Sequence, residues 1–283
     1  GQASGPDGLA PQGATRRTGW GTGRCHRLPR MWYRFFKTLL ARPLVKYGYG
    51  AKLIGAENFP RAGGAILASN HIAALDSLVV PAMMPRPLTF PAKAELFAGQ
   101  GGLGAKALAW FLTVVGMVPM DRSGGRASAD ALGAISDVLA EGRVVAIYPE
   151  GTRSPDGRLY KGKTGMARIA LANDVPVIPV GVIGTKSHKG PLGIPWARRP
   201  VVIIGKPLHF SEFAHVPGNT KALRWVTDEV LAAIQQLTGQ EYADVYAARV
   251  KHGDLTDTGS DAFVVPRPGG GEKPQLEAKQ PGE

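Results

Sequence analysis

The feature that most limits this chain is an alternation along its middle. Short, continuously apolar runs rich in Val, Ile and Ala take turns with longer stretches of helical periodicity. Runs of four to seven apolar residues without polar alternation belong to strands covered on both faces, as in parallel sheets flanked by helices. Strands are expected at Ala65–Ala68, Leu88–Ala92, Val144–Tyr148, Val177–Val182 and Val201–Gly205. Helices are expected at about 73–83, 103–114, 127–140, 164–173 and 220–238, with Gly142 placed to end the third. That order gives an α/β fold of one domain, with a mostly parallel central sheet between helices.

The flanks read differently. Residues 1–30 are rich in Gly and Arg and read as a disordered extension, and residues 253–283, rich in Gly, Pro and charge, read as a disordered tail. The segment 31–47 reads as an amphipathic helix, with the helical run ending near Pro43. Arg30, Arg34 and Lys37 fall on one face, while Trp32, Phe35, Phe36, Leu39 and Leu40 cover the other. Such a helix suits the headgroup layer of a membrane, the alternative being a helix packed on the protein's own core. The globular domain is therefore expected over 48–252.

Charge and cysteine narrow the partners. The chain carries a net charge of +12. The head holds five Arg against one Asp, and the tail from Asp254 holds six acids against three bases, so the middle is basic by itself. A basic domain favours anionic lipid, nucleic acid or phosphorylated substrates. No nucleic-acid motif appears, so nucleic acid is not expected as a partner. Cys25 is the only cysteine, which excludes an internal disulfide. The apolar stretch Leu108–Met120 is too short for a membrane span of ~20 residues. These features point to the cytoplasmic face of a membrane, held peripherally or monotopically.

Four clusters carry chemistry. Ser69-Asn70-His71-Ile72-Ala73-Ala74-Leu75-Asp76 follows a strand and opens a helix. An imidazole with a carboxylate on one ring nitrogen is a general base with a fixed tautomer. Residues i and i+5 of one continuous helix lie about 140° apart. The two can therefore pair only if His71 sits in the turn and Asp76 in the first turns of the helix. The plainer reading is a polar helix start. Tyr148-Pro149-Glu150-Gly151-Thr152-Arg153-Ser154 follows another strand, where ligand sites of open α/β sheets gather. Gly151 admits close approach, Thr152 offers a hydroxyl, and Arg153 a planar fork suited to phosphate. The apolar segment Gly116–Met120 ends in Asp121-Arg122, and Pro91–Phe97 places Lys93 at a strand end. No metal-ligand spacing accompanies His71, so no metal is expected. Two further patterns lack their context. Gly157–Thr164 fits the phosphate-loop consensus, but Pro149–Asp156 separate it from the strand that should feed it; Gly99–Gly104 fits G-x-G-x-x-G without a βαβ unit.

The four clusters, with Val175–Val180 as a fifth, resemble in order the blocks of the glycerolphosphate acyltransferase superfamily, most closely its lysophosphatidate acyltransferases, across about residues 48–210. The resemblance implies that His71 is the general base and Asp76 its partner. It implies that Arg122, Glu150, Gly151, Thr152 and Arg153 bind the glycerol-phosphate acceptor, with Lys93 adding positive charge. It implies acyl transfer from acyl-CoA or acyl carrier protein to 1-acyl-glycerol-3-phosphate, with no cofactor. Another lysophospholipid or alcohol acceptor, or a membrane-binding module without turnover, are the alternatives. Ala73 stands where many members carry Ser, and Gly99–Gly104 replaces a Pro-containing stretch, which leaves acceptor choice open.

Overall fold

The computed structural model describes residues 35–93, 102, 106, 118–120, 126–189, 195–197 and 199–275. The extension 1–30, the start of the amphipathic helix, most of the expected helix 103–114, Gly99–Gly101, Arg122 and residues 276–283 lie outside them.

Among the described residues, six strands form the central sheet in the order β1 (Lys52–Ile54), β11 (Val201–Ile204), β8 (Val177–Ile183), β2 (Ala65–Ser69), β6 (Val144–Ile147), β3 (Leu88–Thr89). The pairs β8–β2, β2–β6 and β6–β3 are parallel, as is β1–β11, and β11 meets β8 antiparallel. The mostly parallel α/β sheet expected from the apolar runs is present. Strand β2 shows why. All five of its residues are buried, with Ala65 and Leu67 facing one apolar cluster and Ile66 and Ala68 the other. Period-2 alternation sends successive side chains to opposite faces, so a strand between two helical layers must be apolar throughout.

One face is covered by α3 (Arg126–Ala140), α4 (Gly165–Asn173) and α5 (Thr220–Thr238), which contribute Val138, Ile169 and Val230 to its core. The other face holds α2 (Asp76–Met83) and the N-terminal helix α1 (35–48), which contribute Val79 and Val45. The helix α5 keeps the expected limits because both ends are capped. Asn219 Oδ1 accepts from the N–H groups of Lys221 and Ala222, and Gly239 ends it at φ +67°. The expected strand Leu88–Ala92 divides into β3 and β4 (Pro91–Lys93), the latter pairing in parallel with β5 (Val118–Met120).

Three expectations are corrected. The N-terminal helix does not end at Pro43. The chain stays helical through Gly48, with π-type stretches Lys37–Ala41 and Leu44–Gly48. Pro43 sits at φ −61°, a value its ring already prefers, so only one backbone donor is lost. Lys37 does not point to a headgroup layer. Its ammonium donates to Met84 O (2.7 Å) and Arg86 O (3.3 Å), carbonyls at the end of α2, and burial pulls its pKa down to about 8. Residues 253–275 are ordered rather than a loose tail. Strand β12 (Tyr242–Ala243) pairs with β13 (Val264–Val265) and with β7 (Leu159–Tyr160), and Ser260 is buried. Few apolar residues are needed, because polar and backbone contacts do the anchoring, among them Asp244 N–H to Phe263 O (2.9 Å). The domain therefore runs past 252. The phosphate-loop pattern is not a cradle either: β7 lies inside it, and Gly162 packs against Thr227 and Leu231.

Candidate active site

Strands β2 and β6 are parallel neighbours, so the turns at their carboxyl ends leave the same edge of the sheet. The first turn carries His71, the second Tyr148 to Arg153. The helical geometry argued above is met. His71 lies in the turn, α2 begins at Asp76, and His71 Nδ1 is 2.9 Å from Asp76 Oδ2. The same oxygen accepts from the N–H groups of Ile72 (2.7 Å) and Ala73 (2.8 Å). Those two donors fix the carboxylate where the ring nitrogen meets it. Since a carboxylate can only accept, Nδ1 carries the proton and Nε2 keeps its lone pair. Asp76 is fully buried, while the His71 side chain is 15 % exposed. The imidazole is thus braced from behind and reachable in front. Asp76 Oδ1 is buried with no hydrogen-bond partner among the described residues.

The ring of Tyr148 stacks on the imidazole, with centroids 4.0 Å apart and planes 13° from parallel. Burial, with the Asp76 charge adding to it, pushes the Tyr148 phenol above its ordinary range, so it stays neutral under the ring. Sequence reasoning assigned Tyr148 no role. The available signal was an aromatic residue placed at the strand end ahead of Pro149.

Glu150 corrects its expectation. It was expected to touch the acceptor, yet its residue is only 2 % exposed. One carboxylate oxygen accepts from His71 N–H and the other from Tyr160 N–H, each at 3.0 Å. Burial raises its pKa to about 8 against the pull of these two donors. Glu150 therefore holds the histidine turn to the loop after β6 and presents no oxygen outward. Ser154 N–H adds a second tie, donating to His71 O at 2.7 Å.

Gly151 faces outward at φ +74°. A Cβ there would lie 3.2 Å from both Cδ and Cε of Lys163, so the missing side chain makes room for that lysine stem. Thr152 is half-buried and Arg153 exposed. Lys161 pairs with Asp244 at 3.0 Å, whereas Arg153 and Lys163 have no acid within ion-pair range among the described residues. The chain after β6 thus carries two cations, Arg153 before β7 and Lys163 after it, without an acidic partner among the described residues. Lys93 ends β4 in register with Met120 of β5, two residues before Arg122 in the sequence. The Lys93 side chain and all of Arg122 lie outside the described residues. Among those residues, no group of acids, histidines or cysteines is arranged to hold a metal.

An acyltransferase family model matches residues 51–183. The chain is 31 % identical over 186 residues to the chloroplastic 1-acyl-sn-glycerol-3-phosphate acyltransferase of Arabidopsis thaliana, covering 65 % of this chain and 50 % of that protein. A Brassica napus chloroplastic counterpart is 30 % identical, with 53 % of its length covered. The chain thus spans about half the length of these plant relatives. The 1-acyl-sn-glycerol-3-phosphate acyltransferase of Bacillus subtilis is 30 % identical over 207 residues, covering 72 % of this chain and 96 % of that protein. Nearly the whole of the Bacillus protein aligns here, and on that ground the chain belongs to the acyltransferase family.

Proposed function

We propose that the chain transfers a fatty acyl group from an acyl thioester to the free hydroxyl of 1-acyl-glycerol-3-phosphate, giving phosphatidate at a membrane surface. The observation that carries this reading is the His71–Asp76 pair, tied through Glu150 and Ser154 to the loop that bears Arg153. His71 Nε2 accepts the proton of the acceptor hydroxyl as its oxygen attacks the thioester carbonyl. Asp76 offsets the charge of the imidazolium that forms. When the tetrahedral adduct collapses, the C–S bond breaks and the imidazolium returns the proton to the leaving sulfur. Base assistance of this kind contributes ~10²–10⁴-fold. Arg153, with Thr152, Lys93 and Arg122, is the proposed contact set for the acceptor phosphate; a guanidinium suits that group because its fork matches two oxygens. Gly151 contributes by giving the loop its open approach. Acyl-CoA or acyl carrier protein supplies the thioester as a second substrate.

The membrane surface enters through α1. No helix among the described residues is long and apolar enough to cross a bilayer. Yet Phe35, Leu39, Leu40, Leu44 and Tyr47 are 43–75 % exposed, and Arg42 and Lys46 are exposed between them. The exposed apolar side chains of Leu39, Leu40, Leu44 and Tyr47, flanked by cations, support a helix lying in the boundary of an anionic bilayer, which we place on the cytoplasmic face.

The test is thiol release from acyl-CoA with lysophosphatidate. His71→Ala is expected to lose about 10²–10⁴-fold in kcat. The variant should keep its acceptor affinity; full turnover by it would end the reading.

A further inference from the structure

The histidine turn and the loop after β6 are joined by a third connection that comes from outside the matched segment 51–183. Gln240 follows Gly239, the left-handed residue that ends α5. Its Oε1 accepts from Asn70 Nδ2 at 2.8 Å, and its Nε2 donates to the Gly157 carbonyl at 2.5 Å. Asn70 is fully buried and immediately precedes His71. Its Oδ1 accepts from Val182 N–H (2.8 Å) and its Nδ2 also donates to Val182 O (2.9 Å). The β8 backbone thus sets which way the Asn70 amide faces. That in turn obliges Gln240 to present oxygen to Asn70 and nitrogen to Gly157. The result is a continuous run of amides from β8 through Asn70 and Gln240 to the loop that carries Arg153. The far side of the loop is held by the C-terminal segment. Asp156 Oδ2 accepts from the hydroxyls of Tyr160 (2.8 Å) and Ser260 (3.2 Å), and Leu159 N–H donates to Glu241 O (2.9 Å).

We propose that Gln240 is a positioning residue of the acceptor site: it fixes the spacing between the histidine turn and the Ser154–Gly157 loop, so that Arg153 is held at a set distance from the imidazole. The assignment of that loop to the acceptor rests on the activity proposed above; the mechanical role of Gln240 does not. The Gln240 side chain bonds to Asn70 and Gly157 and makes no hydrogen bond to the imidazole. Losing it moves acceptor binding and leaves donor binding alone.

Two variants separate its arms. Gln240→Met keeps the length of the side chain and removes both hydrogen bonds. Gln240→Glu keeps the bond from Asn70 but sets a carboxylate oxygen against the Gly157 carbonyl. In both, the acceptor KM is expected to rise about five- to ten-fold, the scale of one or two lost hydrogen bonds. The acyl-CoA KM should stay within about two-fold. Amide hydrogen exchange over residues 154–158 should accelerate in both variants, a readout independent of turnover. Unchanged exchange in folded protein overturns the proposal, as does an acceptor KM that stays put, or both KM values and kcat shifting together. If the parent protein shows no turnover of lysophosphatidate, the activity reading fails and exchange alone decides the brace. Should Gln240→Met fail to fold, Gln240→Glu carries the test.

Discussion

Replacing Asp76 with Asn tests whether its carboxylate acts by charge or by orientation. In many His–carboxylate pairs an amide can turn its NH₂ toward the ring and impose the wrong tautomer. Here that turn is blocked. The oxygen that meets His71 Nδ1 also accepts from Ile72 N–H and Ala73 N–H at 2.7 and 2.8 Å. An NH₂ in that place would face three donors, so the amide oxygen takes it and the tautomer survives. What disappears is the charge. A hydrogen bond to a charged group contributes ~1.5–3 kcal/mol and a neutral one ~0.5–1.5 kcal/mol. The difference, ~1–2 kcal/mol, corresponds to a fall of ~5–30-fold in kcat. The NH₂ then occupies the position of Oδ1, which already lacks a partner among the described residues, so no hydrogen bond is lost there and stability should change little. Asp76→Ala removes the brace itself and should approach His71→Ala, at ~10²–10⁴-fold. The assay is thiol release from acyl-CoA at saturating acceptor, with urea unfolding in parallel. An Asp76→Asn enzyme as slow as His71→Ala would refute the argument that the backbone donors dictate the amide's orientation.

Two other outcomes follow from the geometry. Glu150 is raised from the ordinary 4.5 to about 8 by burial, so between those values the folded chain holds a proton that the unfolded chain releases. Its contribution to stability is present below pH 4.5 and is lost as pH rises through 8; Glu150→Gln should remove that part of the slope while costing ~1–3 kcal/mol through one unmatched backbone N–H. Urea midpoints at acid and alkaline pH check it, and an unchanged slope in the variant would count against the burial argument. Leu39 and Leu40 are 59 % and 58 % exposed, leaving about half of each leucine's ~1.5–3 kcal/mol to be gained by insertion. Leu39→Asp with Leu40→Asp should weaken binding to anionic vesicles at least ~10-fold without loss of helicity. Cosedimentation that matches the parent would remove α1 from the membrane.

The parts that could be read from the sequence are those governed by local pattern. Strands β2, β6 and β8 announce themselves because a sheet covered on both faces tolerates no polar alternation. The helix α5 announces itself through Asn219 and Gly239. The pairing of His71 with Asp76 was accessible as a condition on helix geometry, and Asp76 at the helix start satisfies it. What stayed hidden depends on partners far along the chain. Glu150 sits in a block that reads as ligand-binding, and nothing local shows that backbone donors at His71 and Tyr160 claim both its oxygens. Lys37 has the spacing of a headgroup contact, but the carbonyls closing α2 lie nearer. The two-residue strands β12 and β13 carry no periodicity to detect. A segment rich in Gly and Pro reads as loose until its hydroxyls and backbone are seen joined to Asp156 and β12. Gln240 is a single polar residue after a helix, which no pattern distinguishes.

The helix α2 joins two features that have been treated apart. Its first residue holds the imidazole, and the carbonyls at its far end hold Lys37 of α1. Eight residues at ~1.5 Å each make a strut of about 12 Å. On the proposed membrane placement of α1, the strut would work as a depth gauge: the level at which α1 floats would set the height of Nε2 relative to the plane where lysolipid hydroxyls reside. Bilayer composition would then tune turnover without altering a single contact in the site.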